Sequence, residues 1–97
     1  MNGQIAELLI RGRGGAGLTE AFKFATVRDN DTAGVDIAFD TTKMHEKTAR
    51  TFCAVIENAF AAVGSTPELI VESGSAYLRF NDEYDVAIIR TLGIGPG

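Results

Sequence analysis

Between Met44 and Val63 the residues Met44, Thr48, Phe52, Val55, Ile56, Ala59, Phe60 and Val63 recur at three- and four-residue spacing, the period of a helix with one buried face. The pattern predicts a helix over 42–63, with Asp40, Thr41 or Thr42 as N-cap and Gly64 past its end, followed by Pro67, which cannot continue it. His45, Glu46, Arg50, Glu57 and Asn58 fall on the outward face. Beyond Pro67 the period changes to two. Leu69-Ile70-Val71-Glu72 and Ser75-Ala76-Tyr77-Leu78-Arg79-Phe80, joined by Ser73-Gly74, read as a hairpin that sets Leu69 opposite Leu78, Val71 opposite Ala76 and Glu68 opposite Arg79.

The segment after Phe80 carries two signals. The apolar content of Val86, Ile88 and Ile89 favours a third strand, with Tyr84 against Phe80, Val86 against Leu78 and Asp85 against Arg79. Asn81, Asp82, Glu83 and Asp85, with Arg90 late and Gly93 beyond, are equally helix start and stop signals. We take the strand, entered through a three-residue loop at Asn81-Asp82-Glu83, as the leading expectation, with helix as the alternative over 82–92. In the first half, 20–28 and 34–41 alternate and read as another hairpin, with Phe22 and Phe24 in its first arm and Val35, Ile37 and Phe39 in its second. Residues 4–10 fit either a short helix or a strand. The fold class is therefore α+β: a small antiparallel sheet, built from two hairpins or a hairpin plus a meander, packed on one long amphipathic helix.

Composition places the chain among folded domains, since 45% of the 97 residues are apolar and 23% charged. A chain of this length buries roughly two thirds of the surface its unfolded state exposes, enough for one core, so 1–97 is read as a single domain. No apolar run approaches the roughly 20 residues of a membrane span, and no basic segment followed by an apolar one opens the chain. The expectation is a cytoplasmic protein without membrane contact. The net charge of -4 is uneven: residues 1–50 hold seven basic and seven acidic side chains, residues 51–97 two and six. With no basic stripe, duplex nucleic acid is not the expected ligand, and a larger protein with a basic surface is.

Catalytic chemistry finds little support in the residue types. Cys53, in the run Phe52-Cys53-Ala54-Val55-Ile56, reads as a half-buried structural thiol, and the one histidine, His45, is two helical turns away, too far to serve it as a base. No G-x-S-x-G elbow surrounds Ser65, Ser73 or Ser75, no zinc or EF-hand spacing occurs, and no cofactor is implied. The one motif with chemistry in it is Gly12-Arg13-Gly14-Gly15-Ala16-Gly17, which satisfies G-x-G-x-x-G. Its amides, with Arg11 and Arg13, make an anion- or nucleotide-binding reading in which Arg11, Gly12, Arg13, Gly14 and Gly17 form the site. These seven residues, 11–17, resemble the glycine-rich flavin-nucleotide loop of the flavoprotein subunit of NADH:quinone oxidoreductases. A related run occurs in the gamma subunit of 2-oxoacid:ferredoxin oxidoreductases. The rest of the chain departs from both families, with no cysteine cluster for iron–sulfur ligation, and their function is not carried over.

The expected function is that of a small acidic protein-binding module, an inhibitor or adaptor that masks a basic surface of a larger partner and catalyses nothing. Glu68, Glu72, Tyr77, Asp82, Glu83, Tyr84 and Asp85 are the predicted contact residues, because acids steer association with a basic patch and tyrosine favours interface cores. Phage-type anti-defence proteins, anti-CRISPR proteins among them, are similar in size and charge alone. The alternatives are the glycine-loop site and a structural homodimer formed through exposed strand edges.

Overall fold

A computed structural model describes residues 15–91, which form three helices and a four-stranded sheet in the order α1 (Gly15–Phe24), β1 (Thr26–Asp29), β2 (Val35–Asp40), α2 (Glu46–Ala61), β3 (Glu68–Glu72), β4 (Ser75–Phe80) and α3 (Glu83–Thr91). The α+β class holds, with three helices among the described residues in place of one. Residues 4–10 lie outside them.

The sheet runs β1-β2-β4-β3, antiparallel throughout. The second hairpin has the predicted register, with Leu69 opposite Leu78, Val71 opposite Ala76 and Glu68 opposite Arg79. At its turn Gly74 takes φ +83°, a conformation that costs a side-chain-bearing residue more. β4 is flanked on its other side by β2, more than thirty residues earlier, which sets Val35 against Phe80, Ile37 against Leu78 and Phe39 against Ala76. That pairing takes the place expected for 84–89, and these residues are helical instead. The reason is legible at the start of α3: the Asp82 carboxylate accepts hydrogen bonds from the Tyr84 and Asp85 amides at 2.8 and 3.3 Å, capping the helix, while Glu83 and Asp85 lie at its positive end and Arg90 at its negative end. Ile88 and Ile89 are then buried in the core.

The first hairpin is shorter than its alternation suggested. Residues 20–24 belong to α1, where Leu18 and Ala21 are fully buried and Phe22 packs against the core at helical spacing; only Thr26–Asp29 pairs with β2. Phe24 is left half-exposed, its ring stacked on Phe52 at 5.8 Å. α2 starts four residues later than predicted. His45 is its N-cap, accepting from the Lys47 amide through Nδ1, while Asp40 caps the turn before it by accepting from the Thr42 amide. Its buried line is Ala49, Cys53, Ile56, Ala59 and Phe60, so Thr48, counted on the apolar stripe, is exposed. The helix ends at Ala61, two residues short of 63, and Gly64 turns the chain beyond it: Gly64 takes φ +85° and the Ser65 amide reaches back to the Phe60 carbonyl.

Val35, Ile37, Phe39, Ala76, Leu78 and Phe80 point to the helices, and Phe60 and Phe80 meet with ring centroids 4.8 Å apart. Cys53 is fully buried there, and burial pushes its thiol up to about 12, so it is inert at neutral pH.

Gly17, the last glycine of the G-x-G-x-x-G run, is in the first turn of α1, and a Cβ built on it meets no atom within 4 Å. Gly17→Ala is expected to stabilise the fold by about 0.5 kcal/mol by restricting the unfolded chain. A thermal melt should show a rise of about 2–4 °C.

Candidate functional site

The ends of β3 and β4, the link between α2 and β3, and the first turn of α3 surround an open groove of about 530 Å³. Gly64 turns the chain out of α2, so that Ser65, Thr66 and Pro67 form one wall; Arg79, Asn81 and Asp82 carry the chain across the other. Glu68, Asp82, Tyr84 and Asp85, four of the seven predicted contact residues, line it together with Arg79. Glu83 follows on the exposed first turn of α3 without lining the groove. Glu72 is at the far end of β3, beside the hairpin turn. Tyr77 is not a surface residue: it is 5% exposed on the sheet face opposite the helices, with the guanidinium carbons of Arg28 and Arg79 4.8 and 5.5 Å from its ring centroid. Of the glycine-loop residues, Arg11, Gly12, Arg13 and Gly14 lie outside the described residues.

Two of the groove acids are already engaged within the chain. Asp82 is the α3 cap, and Asp85 accepts a short hydrogen bond of 2.5 Å from the hydroxyl of Ser65, itself 7% exposed. Burial raises the Asp85 carboxyl above the ordinary 3.8; the Ser65 hydrogen bond pulls it down, and the charge of Asp82 pushes it up again. The folded chain thus holds this proton to higher pH than the unfolded chain does. Its contribution to stability is largest below 3.8 and declines as pH rises to the raised folded value. Asp85→Asn keeps an acceptor for Ser65 and removes the charge, so in urea titrations across that window the variant is expected to gain on the wild type as pH rises. Parallel curves would mean that Asp85 is not desolvated in the folded chain.

Sequence reasoning gave Arg79 an acidic neighbour on each side, and it has them, but the second is Asp36 rather than Asp85. Asp36, 2% exposed, receives Arg79 Nε at 3.2 Å and Nη2 at 3.4 Å, Asn30 Nδ2 at 3.2 Å, and lies 3.6 Å from Arg28 Nε. Asn30 ties this cluster to the groove: its Nδ2 also donates to Asn81 Oδ1, and its Oδ1 accepts from the Thr32 and Gly34 amides. Neither Ser65 nor Asp36 was found from the sequence. Ser65 has no local signal, and Asp36 becomes visible only when β2 is known to pair with β4.

As chemistry, a serine hydroxyl bonded to a carboxylate with no imidazole between them is oriented and not activated. His45 is at the opposite end of α2 from Ser65, about 24 Å along a helix of this length. Among the described residues no three His, Cys, Asp or Glu side chains are grouped to hold a metal ion, and no helix is long and apolar enough to cross a membrane. No family model matches the chain, and no curated protein or solved structure is significantly similar to it.

Proposed function

We propose that the chain is a small protein-binding module, an inhibitor or adaptor, which masks a basic surface of a larger partner with the groove at the start of α3. The observation that carries this is the convergence of Glu68, at the start of β3, with Asp82, Tyr84 and Asp85, at the cap and first turn of α3, on one concave surface. Two features support it further. The acidic excess of the chain falls in the half that builds the groove, and unlike charges steer association. Tyr84, 41% exposed, supplies an aromatic surface of the kind that interface cores favour.

The test must spare the acids that hold the fold. Glu68 and Glu83 are in no ion pair among the described residues, whereas Asp82 caps α3 and Asp85 holds Ser65. The double variant Glu68→Lys/Glu83→Lys puts a lysine opposite Arg79 and another at the positive end of α3, so it should keep the fold by circular dichroism at a modest cost in stability and lose a stoichiometric partner that wild type retains in affinity capture at low salt, about tenfold or more in apparent affinity. Retention of the same partner by both, insensitive to salt, would sink the proposal.

A further inference from the structure

β3 is an edge of the sheet, with β4 on one side and, among the described residues, no strand on the other. Which of its backbone groups face outward follows from hydrogen bonds elsewhere in the sheet. The Thr41 amide bonds the Gly74 carbonyl, and the Asn30 amide bonds the Gly34 carbonyl. Residues along an antiparallel strand turn their N–H and C=O alternately to one neighbour and the other. Carried through the register, Glu68, Ile70 and Glu72 turn these groups toward β4, and Leu69 and Val71 turn theirs outward. The two edges of the sheet differ. β1 has four residues, and two of its side chains are tied back in ion pairs, Arg28 to Asp36 and Asp29 to Arg90; such an edge is short and charged. β3 is longer, and its interior is the apolar run Leu69-Ile70-Val71, with Val71 39% exposed.

We propose that the outer edge of β3 accepts an extended segment of a basic protein partner as a fifth strand, with two Lys or Arg residues four apart set opposite Glu68 and Glu72. This inference rests on the binding reading above and adds how the partner is held. Glu68, Ile70 and Glu72 share the sheet face opposite the helices, so an incoming strand of either direction meets an acid, an apolar residue and an acid. A segment with the pattern basic-x-apolar-x-basic matches all three. The outward amides and carbonyls of Leu69 and Val71 supply main-chain hydrogen bonds, and the side chains supply the choice of sequence. A second copy of this chain is the wrong occupant: antiparallel pairing of two β3 strands about Ile70 puts Glu68 opposite Glu72 of the other copy at both ends, and like charges directly opposed repel.

The test uses the full chain, labelled with nitrogen-15, and the peptide acetyl-Lys-Thr-Val-Thr-Lys-amide, compared with the same peptide N-methylated at both threonines. In antiparallel pairing the two threonines are opposite Leu69 and Val71, so N-methylation removes the two donors that would face β3 and leaves both charges. The amide resonances of Leu69 and Val71 are expected to shift with the first peptide, and N-methylation is expected to weaken binding about tenfold or more. Glu72→Lys should weaken it as well, without changing the thermal midpoint. Shifts confined to Asp82, Tyr84 and Asp85, equal for both peptides, would overturn edge addition while leaving the groove as a binding surface. Absence of any shift would also overturn it, and Glu68 and Glu72 would then serve only to keep copies of the edge apart. Val71→Pro separates the two proposals in the capture experiment. It removes an outward N–H that no strand among the described residues uses. Loss of the partner by both variants, with the fold intact, supports the edge; loss by Glu68→Lys/Glu83→Lys with full retention by Val71→Pro leaves only the groove.

Discussion

Replacing Gly34 with alanine is expected to lower the free energy of unfolding by about 3 kcal/mol, the upper range for overpacking a site that cannot relax. Gly34 is buried just before β2, and a Cβ there would stand 2.1 Å from the Phe80 carbonyl oxygen, 2.6 Å from Asn81 Oδ1 and 2.9 Å from Asn30 Nδ2. The first of these is backbone, so the clash is relieved only by moving the end of β4 away from β2. That movement would also disturb Asn30, whose carboxamide oxygen holds the Gly34 amide at 2.9 Å. Urea titration followed by far-ultraviolet circular dichroism measures the cost, with Gly17→Ala as the control of opposite sign. A change under about 0.5 kcal/mol, the ordinary range for surface substitutions, would mean that β2 and β4 do not approach this closely in solution.

Asp36→Ala is the other large effect, at about 2–3 kcal/mol. The carboxylate is nearly inaccessible and gathers Arg79, Arg28 and Asn30 from three strand or loop positions, so its loss removes charge-assisted hydrogen bonds and leaves the Asn30 carboxamide with one partner fewer. The two arginines are half-exposed and can turn to water, which keeps the cost below that of a fully buried charge left alone. Asp36→Asn, similar in shape and without the charge, is expected to fall between wild type and Asp36→Ala in the same titration. Equal values for the two variants would show that the charge, and not the packing of the side chain, holds this cluster together.

How legible each feature is in the sequence follows the range of the interactions that fix it. The β3–β4 register was legible because every residue that fixes it lies within a dozen positions: two apolar pairs, one Glu–Arg pair and a glycine at the turn agree on a single alignment. The C-terminus of α2 was legible for the same reason, through Gly64. Errors came where two local patterns competed. Residues 20–24 alternate, yet Leu18, Ala21 and Phe22 also fit a helix, and helix α1 buries the first two completely. After Phe80, β-branched content pointed to a strand and capping residues to a helix, and the cap prevailed.

Of the groove, the sequence supplied the acids and tyrosine and not their arrangement. Glu68, Asp82, Tyr84 and Asp85 converge because α3 turns back beside the start of β3, whereas Tyr77, of the same residue type as Tyr84, is enclosed by two arginines on the sheet. Which tyrosine reaches the surface depends on strand parity and on what lies across the sheet, and neighbours in the chain carry no record of that.

By itself, then, the sequence determined the α+β class, the existence of α2, the second hairpin and its register, and the acidic character of the second half. Each of these rests on periodicity, turn chemistry or a count of charges, which are properties of short segments or of composition. Only the tertiary structure decided that β2 takes the position beside β4. Val35–Asp40 is six residues long with three apolar side chains facing the core and Asp36 placed opposite Arg79, so its ladder buries more and pairs a charge that residues 84–89 would have left to Asp85. With that edge occupied, α3 became a helix, Ile88 and Ile89 entered the core, and Asp85 turned to Ser65. Such contacts join residues 20 to 45 positions apart, and their free energy depends on competition among all the segments for one place in the sheet, which no local pattern of the chain expresses.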